Sequence, residues 1–185
     1  FMVALLLVYI VPQFALTPLW IRLGRHVGKK ALWLLAMVVS AGAFFGLFWL
    51  DGPGPQIWVY AFSAGAAAGY AAVVAPAIKA DIIDYDEYAT GERKEGAYLA
   101  VWNLVRKSSA SVSAIVTGIA LQLAGYEPNV EQTETAQLVM RALFGLLPAA
   151  CYVIGAVLFL RFRFNEAEHA EIRRALGERA ANTKA

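Results

Sequence analysis

The amino-acid sequence predicts an all-α membrane protein with five transmembrane helices, and three observations predict it. Of the 185 residues, 59% are hydrophobic and 16% are charged, whereas soluble domains are nearer half apolar and a quarter charged. The apolar residues form five runs, each near the length of about 20 residues that crosses a bilayer. The connections between the runs alternate between basic and non-basic. Because lipid offers the backbone no hydrogen-bond partners, such runs are helices.

The predicted spans cover residues 1–21, 31–50, 57–78, 97–124 and 138–160, within a helix bundle of residues 1–164 that is followed by a tail of residues 165–185. The first span starts at Phe1 with no charged segment before it, so we expect a chain that starts inside a longer protein rather than a signal peptide. The second span carries no charge. The third contains Gly65 and Gly69 in a GxxxG pattern, which favours close packing inside the bundle over dimerisation. The fifth is apolar apart from Arg141 at its edge.

The positive charges lie on one side of the predicted bundle. The connection 22–30 carries four basic residues, residues 79–96 carry three and residues from 161 onward carry six, while the connections 51–56 and 125–137 carry none. By the positive-inside rule, the basic side and the C-terminus are cytoplasmic, and we expect a bacterial inner membrane.

Ile172 and Leu176 predict a short helix over residues 165–179, on the bundle or the membrane surface.

Lys107 is the most informative residue of the fourth span. It lies about ten residues into the span, about 15 Å deep at the helical rise per residue, where a lysine costs at least a few kcal/mol. Asn103 and Ser111 share its helix face, so this face is expected to line a water-filled path rather than to contact lipid. Snorkelling and a structural ion pair remain open as alternatives. Arg106 points about 100° away from Lys107 and could meet an acid on another helix.

A second group of charges follows the third span. Asp81 and Asp84 are three residues apart, so they share a helix face at the cytoplasmic boundary, where bases on other helices can pair with them. No histidine or third ligand has a spacing that suits a metal. The chain also has no nucleophile motif and no phosphate-binding glycine loop, so neither an enzyme nor a cofactor is expected. The basic residues follow the span boundaries instead of forming a soluble patch, which argues against nucleic acid.

Several segments together resemble a known family. The run Ala80-Asp81-Ile82-Ile83-Asp84-Tyr85-Asp86-Glu87-Tyr88, the run Gly91-Glu92-Arg93-Lys94-Glu95-Gly96 and the pair Arg106-Lys107 look like the signature region of the glycoside-pentoside-hexuronide cation symporters, within the major facilitator superfamily. The basic segment 22–30 and the segment 125–132 are similar to the family at the corresponding places. The resemblance covers nearly the whole chain and keeps the order of its parts.

The resemblance implies a twelve-helix fold in two halves, in which the five spans look like helices eight to twelve. Helix seven and the N-terminal half would be missing, and with them most solute contacts and the site of the coupling cation, Na⁺ or H⁺. The implied activity is symport of a sugar or glycoside with that cation by alternating access. The implied substrate-cavity residues are Lys107, Asn103, Trp102, Arg106 and Ser111. The implied cytoplasmic gate residues are Asp81, Asp84 and Arg93.

Two other functions stay open. Trp102 and Arg106 depart from the melibiose-transporting member of the family, which has smaller or uncharged residues there, and this argues against melibiose as the solute. The same signature also resembles sodium-coupled lysophospholipid carriers, so a lipid cargo is one alternative. A non-transporting membrane subunit or receptor is the other. The expected partners are membrane lipid, the sugar or glycoside solute and the missing N-terminal half.

Overall fold

The structure is a computed structural model that describes residues 1–50, 52, 54–161, 171–176 and 178. Within these residues the chain is helical, with turns and no strand, which confirms the all-α prediction. The helices are α1 Met2–Ala15, α2 Thr17–Val27, α3 Lys29–Phe48, α4 Gln56–Thr90, α5 Glu95–Leu123, α6 Glu134–Arg141 and α7 Leu147–Arg161, with a π-helical turn Ala142–Leu146 between the last two. The described part has four helices that are long and apolar enough to cross a membrane, or five if α1 and α2 form one span.

The first span is bent. α1 and α2 meet at an angle of 42°, at Leu16, two residues before Pro18. A proline has no N–H to donate and its ring crowds the preceding turn, which accounts for a break at this place. α2 then continues to Val27, so the prediction of a basic loop over residues 22–30 was wrong. The basic residues lie on two helices that are separated only by Gly28.

Gly28 makes this tight corner possible. Its backbone has φ 90° and ψ 145°, a region that side chains disfavour strongly. We therefore expect Gly28→Ala to lower the free energy of unfolding by about 1–3 kcal/mol. Thermal unfolding of the purified membrane protein measures this effect. Gly42→Ala is the control, because a Cβ at this helical position meets no atom within 4 Å among the neighbours considered. Equal melting temperatures for the two variants would contradict the prediction.

α4 is longer than a bilayer requires. Its 35 residues extend about 50 Å at the helical rise per residue, against a hydrocarbon thickness of about 30 Å. The predicted span 57–78 is only its first part. The helix continues past Ile78 through Asp81 and Asp84, as their predicted common helix face requires, and extends as far as Thr90, beyond the point where a loop was expected. There Gly91, with φ 76°, ends the helix, and its N–H donates to the carbonyl of Glu87.

α1 crosses α4 at a pair of glycines. A Cβ at Gly65 would overlap the backbone carbonyl of Tyr9, and a Cβ at Gly69 would overlap that of Gln13. The two helices can therefore approach this closely only because both positions lack a side chain. This contact confirms the prediction that the GxxxG pattern packs within the bundle.

α3 packs between α4 and α7 and forms the core of the bundle. Leu32 and Ala36 of α3 are buried against Tyr70 and Val74 of α4. On the other side of α3, Gly145 of the π-helical turn leaves room for the α3 backbone: a Cβ there would lie 2.9 Å from the carbonyl oxygen of Phe44. The π-helical turn thus lies at a close helix contact.

The two ends of the bundle differ in charge. At one end Lys29 of α3 pairs with Asp81 of α4, and Lys30 Nζ donates to the carbonyl oxygen of Leu160 near the end of α7, at 3.3 Å. We call this the basic end. At the opposite end the rings of Phe1 and Trp58 meet edge to face, 5.6 Å apart.

α5 is the least integrated helix. None of its 29 residues is buried, although α3 and α4 both contribute buried residues to the core. A helix in a protein gains most of its stability when one of its faces packs against other elements. α5 therefore has large surfaces with no neighbour in the described part of the chain.

Candidate functional site

One face of α5 borders an apolar cavity. Tyr98, Val101, Trp102 and Val105 line a space of about 630 Å³. The other walls come from α3, α4 and α7, through Trp33, Ile78 and Phe159 among others. The side of α5 that is turned to the rest of the bundle is therefore its apolar side.

A cation–π contact joins α5 to α4 at the rim of this cavity. Lys79 Nζ lies 4.7 Å from the centre of the Trp102 ring, within the range in which the ring face attracts a cation. Trp102, a predicted substrate-cavity residue, thus contacts α4 in this structure.

The polar stripe of α5 lies on the other side of the helix. At about 100° per residue, Val105 is about 160° from Lys107, whereas Asn103 and Ser111 are each within about 40°. Lys107 therefore points away from the apolar cavity and from the bundle. The structure brings Lys107, Asn103 and Ser111 onto one face and places Trp102 about 140° away from it.

The residues of the stripe form few hydrogen bonds with the described part of the chain. Ser111 Oγ donates to the carbonyl oxygen of Lys107 in its own helix, at 3.2 Å. Within the described part of the chain, no hydrogen bond or ion pair joins Asn103, Arg106 or Lys107 to another helix. The roles of these residues in a substrate cavity remain predictions.

The acidic residues at the basic end, unlike the stripe, have ion-pair partners in the structure. Lys29 Nζ is 2.7 Å from Asp81 Oδ2, and the two side chains keep 34% and 8% of their exposure. Asp81 therefore has as partner a base on another helix, 52 positions away in the sequence. Sequence reasoning missed Lys29 because it assigned residues 22–30 to a loop. The signal that could have found it is the basic residue directly after Gly28, at the same membrane boundary as Asp81.

Lys29 is also held through its backbone. The Tyr70 hydroxyl donates to the carbonyl oxygen of Lys29, at 3.0 Å, and Tyr70 is only 1% exposed. The Tyr70 ring lies 5.6 Å from that of Trp20, whose indole N–H donates to the carbonyl oxygen of Ala66, at 2.8 Å. α4 thus fixes the corner between α2 and α3 through both the main chain and the side chain of Lys29.

The ion pair of Lys29 with Asp81 is expected to matter for stability. Asp81→Asn leaves the half-buried ammonium group of Lys29 without its countercharge. We expect the free energy of unfolding to fall by about 2 kcal/mol, which is less than for fully buried pairs because Lys29 is partly exposed. Adding Lys29→Met to Asp81→Asn should recover part of the loss. Thermal unfolding measures both variants.

The exposed pair of Lys94 and Glu92, 3.4 Å apart, is the matched control for that prediction. Its neutralisation as Lys94→Met with Glu92→Gln should cost less than about 1 kcal/mol. If Asp81→Asn lowered the free energy of unfolding no more than the control double variant does, burial would not increase the contribution of the Lys29–Asp81 pair to stability.

Arg93 connects the remaining acids. Its guanidinium is 2.9 Å from Glu87, 3.3 Å from Glu95 and 3.9 Å from Asp84. The hydrogen bond to Glu87, with the negative charge of that carboxylate, raises the pKa of Arg93 above its ordinary value, so the guanidinium stays charged. Asp81 and Asp84 therefore have different basic partners, and the predicted gate role of the three residues is a prediction that the geometry leaves open.

Known proteins resemble this chain along almost its whole length. Residues 1–166 match the family described as MFS/sugar transport protein. An uncharacterized symporter of Bacillus subtilis is 33% identical over 161 residues, which cover 82% of this chain and 33% of the relative. A putative sulfoquinovose importer of Escherichia coli is 32% identical over 157 residues, with 82% and 33% covered. A glucuronide carrier protein homolog of Escherichia coli is 25% identical over 173 residues, with 93% and 38% covered. The chain spans about a third of the length of these curated relatives.

Proposed function

The chain belongs to the MFS/sugar transport protein family, a family of transporters and not of enzymes, and we propose that it forms helices eight to twelve of a cation-coupled sugar transporter. In the complete protein, a site between two six-helix halves faces first one side of the membrane and then the other. A cation, Na⁺ or H⁺, moves down its gradient and drives a sugar or glycoside uphill. The cation site lies in the half that this chain does not include.

The observation that carries the proposal is the orientation of Lys107. It is twelve residues after Glu95, the first residue of α5, which corresponds to about 18 Å of helix and places it near mid-membrane. A lysine at this depth is costly against lipid and normally faces an aqueous cavity. Because Lys107 points away from its own bundle, a cavity shared with the other half of the protein suits it best.

The names of the relatives support a sugar as solute and suggest its charge. Two relatives are named for sulfoquinovose and for glucuronides, and both compounds are anionic sugars. Lys107 and Arg106 place two cationic side chains near the middle of α5. We expect them to favour a sugar with a carboxylate or sulfonate group over a neutral one, because such a group offers charge-assisted hydrogen bonds.

We also propose that the basic end faces the cytoplasm and that Asp81, Asp84 and Arg93 help to gate it. The positive-inside rule supports this orientation, since Lys29, Lys30 and Arg93 all lie at this end. Ion pairs near a boundary between two halves can separate and re-form as the halves rock. The contact of Lys29 with Asp81 would then hold α3 and α4 together while the halves move.

Uptake by the complete protein in proteoliposomes tests the function. Labelled neutral glycosides, glucuronides and sulfonated sugars are each supplied with an imposed Na⁺ gradient, with a proton gradient and with neither. We expect only the anionic sugars, the glucuronides or the sulfonated sugars, to accumulate, and only when one of the two gradients is imposed. Accumulation that follows neither gradient would contradict symport.

A lipid cargo is the second candidate, and the apolar cavity of about 630 Å³ is the observation in its favour. The same proteoliposomes, supplied with a labelled lysophospholipid, separate the two candidates. Transport of the lipid by protein that moves no sugar would replace the sugar proposal.

A further inference from the structure

The apolar cavity beside α5 lies in the basic half of the bundle. Its α5 wall belongs to the first three turns of that helix, between Ala97 and Val105. Phe159 of the α7 wall is two residues before the end of α7, and Trp33 of the α3 wall is one turn after Lys29. The cavity therefore lies at the depth of a single leaflet, next to the boundary that the positive charges mark.

The lining of this cavity suits a hydrocarbon chain. Its volume of about 630 Å³ is within the range of ligand-binding pockets. Among the described residues that line it, Lys79 is the one charged residue, and the others are aliphatic or aromatic. Trp102 keeps 42% and Val105 57% of their exposure, so their described neighbours leave the α5 wall partly uncovered. Because apolar cavities stay dry and bind apolar molecules, an acyl chain is the occupant that fits.

Lys79 places a positive charge at the rim of the cavity. Its ammonium group lies against the Trp102 ring and, within the described part of the chain, forms no ion pair. Asp84 and Glu95 line a smaller cavity beside Lys79. Both acids pair with Arg93 instead. A phosphate group is a strong partner for an ammonium group, so a lipid phosphate at the membrane boundary suits Lys79.

A second ammonium group lies at the α7 wall. Lys30 Nζ donates to the carbonyl oxygen of Leu160, the residue after Phe159, whose ring lies 5.5 Å from that of Trp33. Lys30 and Lys79, on α3 and α4, thus bring two positive charges to the basic side of the cavity. Basic pockets between membrane helices on the cytoplasmic side bind anionic headgroups, so these charges favour a lipid with a net negative charge over a zwitterionic one.

We propose that the cavity binds an acyl chain of an anionic glycerophospholipid, whose phosphate contacts Lys79. The chain packs against Trp102 and Val105 and joins α5 to α3, α4 and α7. The lipid thus supplies packing to a helix that has no buried residue in the described part of the chain. It is a resident component rather than a cargo, since the proposed transport path follows the Lys107 stripe on the opposite side of α5.

Photolabelling of the complete protein tests the site. The probe is phosphatidylglycerol with a diazirine in one acyl chain, added at limiting concentration to the purified protein in detergent. Phosphatidylcholine with the same chains is the zwitterionic comparison, and peptide mapping locates the label. We expect phosphatidylglycerol to label residues 75–83 and 97–105 about tenfold more than phosphatidylcholine does, because a charge-assisted contact with Lys79 contributes this factor or more.

Two pairs of variants separate the headgroup contact from the chain contact. Lys79→Ala should lower labelling by phosphatidylglycerol about tenfold and leave labelling by phosphatidylcholine unchanged. Lys94→Ala removes an exposed lysine outside the cavity and should behave like the parent protein. Val105→Phe fills part of the cavity and should reduce labelling by both lipids. Val112→Phe makes the same change two turns further along the same face of α5, outside the cavity, and should have no effect.

Four results would overturn the lipid site. Label spread evenly over the outward faces of all helices would show that lipid only surrounds the protein. Equal labelling by the two lipids would exclude recognition of the anionic headgroup, and an unchanged pattern in both Lys79→Ala and Val105→Phe would place the lipid elsewhere. Transfer of phosphatidylglycerol between the leaflets of proteoliposomes would make the bound lipid a cargo. No sugar is present during labelling, so a failure to transport sugar would count against the proposed function alone.

Discussion

Lys107→Ala is expected to reduce solute uptake by the complete protein about 10- to 100-fold. A hydrogen bond to a charged group contributes about 1.5–3 kcal/mol when its partner is otherwise desolvated, and about 1.4 kcal/mol corresponds to a factor of ten. The stripe that Lys107 shares with Asn103 and Ser111 has no hydrogen bond or ion pair with another helix in the described part of the chain, so the loss should fall on the solute and not on the fold. Initial uptake rates at several solute concentrations measure it.

Lys94→Ala is the control for this prediction. Lys94 directly precedes α5 and forms an exposed pair with Glu92, so its loss removes a lysine beside the same helix outside the proposed cavity. The control should transport at the parent rate. Full activity in a correctly inserted Lys107→Ala protein would instead give Lys107 one of the structural roles, snorkelling or ion pairing.

Gly65→Ala is expected to have the largest effect on folding. It should lower the free energy of unfolding by about 3 kcal/mol or more, at the upper end of what overpacking costs. The added Cβ would overlap the backbone carbonyl of Tyr9, and backbone within a helix cannot rotate away as a side chain can. α1 would have to move off α4, and the close contact at Gly69 would open with it. The yield of folded protein in the membrane and its melting temperature measure this loss.

Two other glycines make that experiment a graded series. At Gly46 the added methyl would meet the ring of Tyr60, which can turn aside, so a smaller loss is expected. At Gly42 it would meet no neighbouring atom within 4 Å, and the substitution should be neutral or slightly stabilising because alanine favours the helix. An equal effect at all three positions would show that helix propensity, and not the contact between α1 and α4, governs the response.

Much of the fold could be predicted because spans in lipid are set by length and polarity. α3 begins at Lys29 and ends at Phe48, close to the predicted span 31–50, and α5 nearly coincides with 97–124. The errors lie where water and membrane meet. There a helix can continue without apolar residues, as α4 does to Thr90, and hydropathy no longer marks its end.

The candidate site could be predicted only in part. The common face of Asn103, Lys107 and Ser111 follows from helix periodicity alone. The pairing of Lys29 with Asp81 depends on how α3 and α4 approach each other, which no local pattern in the sequence encodes. The cavity that Arg173 lines together with Asp81 and Asp84 depends in the same way on tertiary packing. Residues 165–170, 177 and 179–185 of the predicted tail lie outside the described residues.

The length of α4 gives it the properties of a lever. About a third of the way along the helix, Gly65 and Gly69 contact α1, and further along it carries Asp81 and Asp84. A tilt of about 10° about the glycine contact would move these two acids, which are about 18–22 Å further along the helix, by about 3–4 Å. This displacement is comparable to the length of an ion pair, so a small rotation of the helix is enough to weaken one set of charge pairs and favour another.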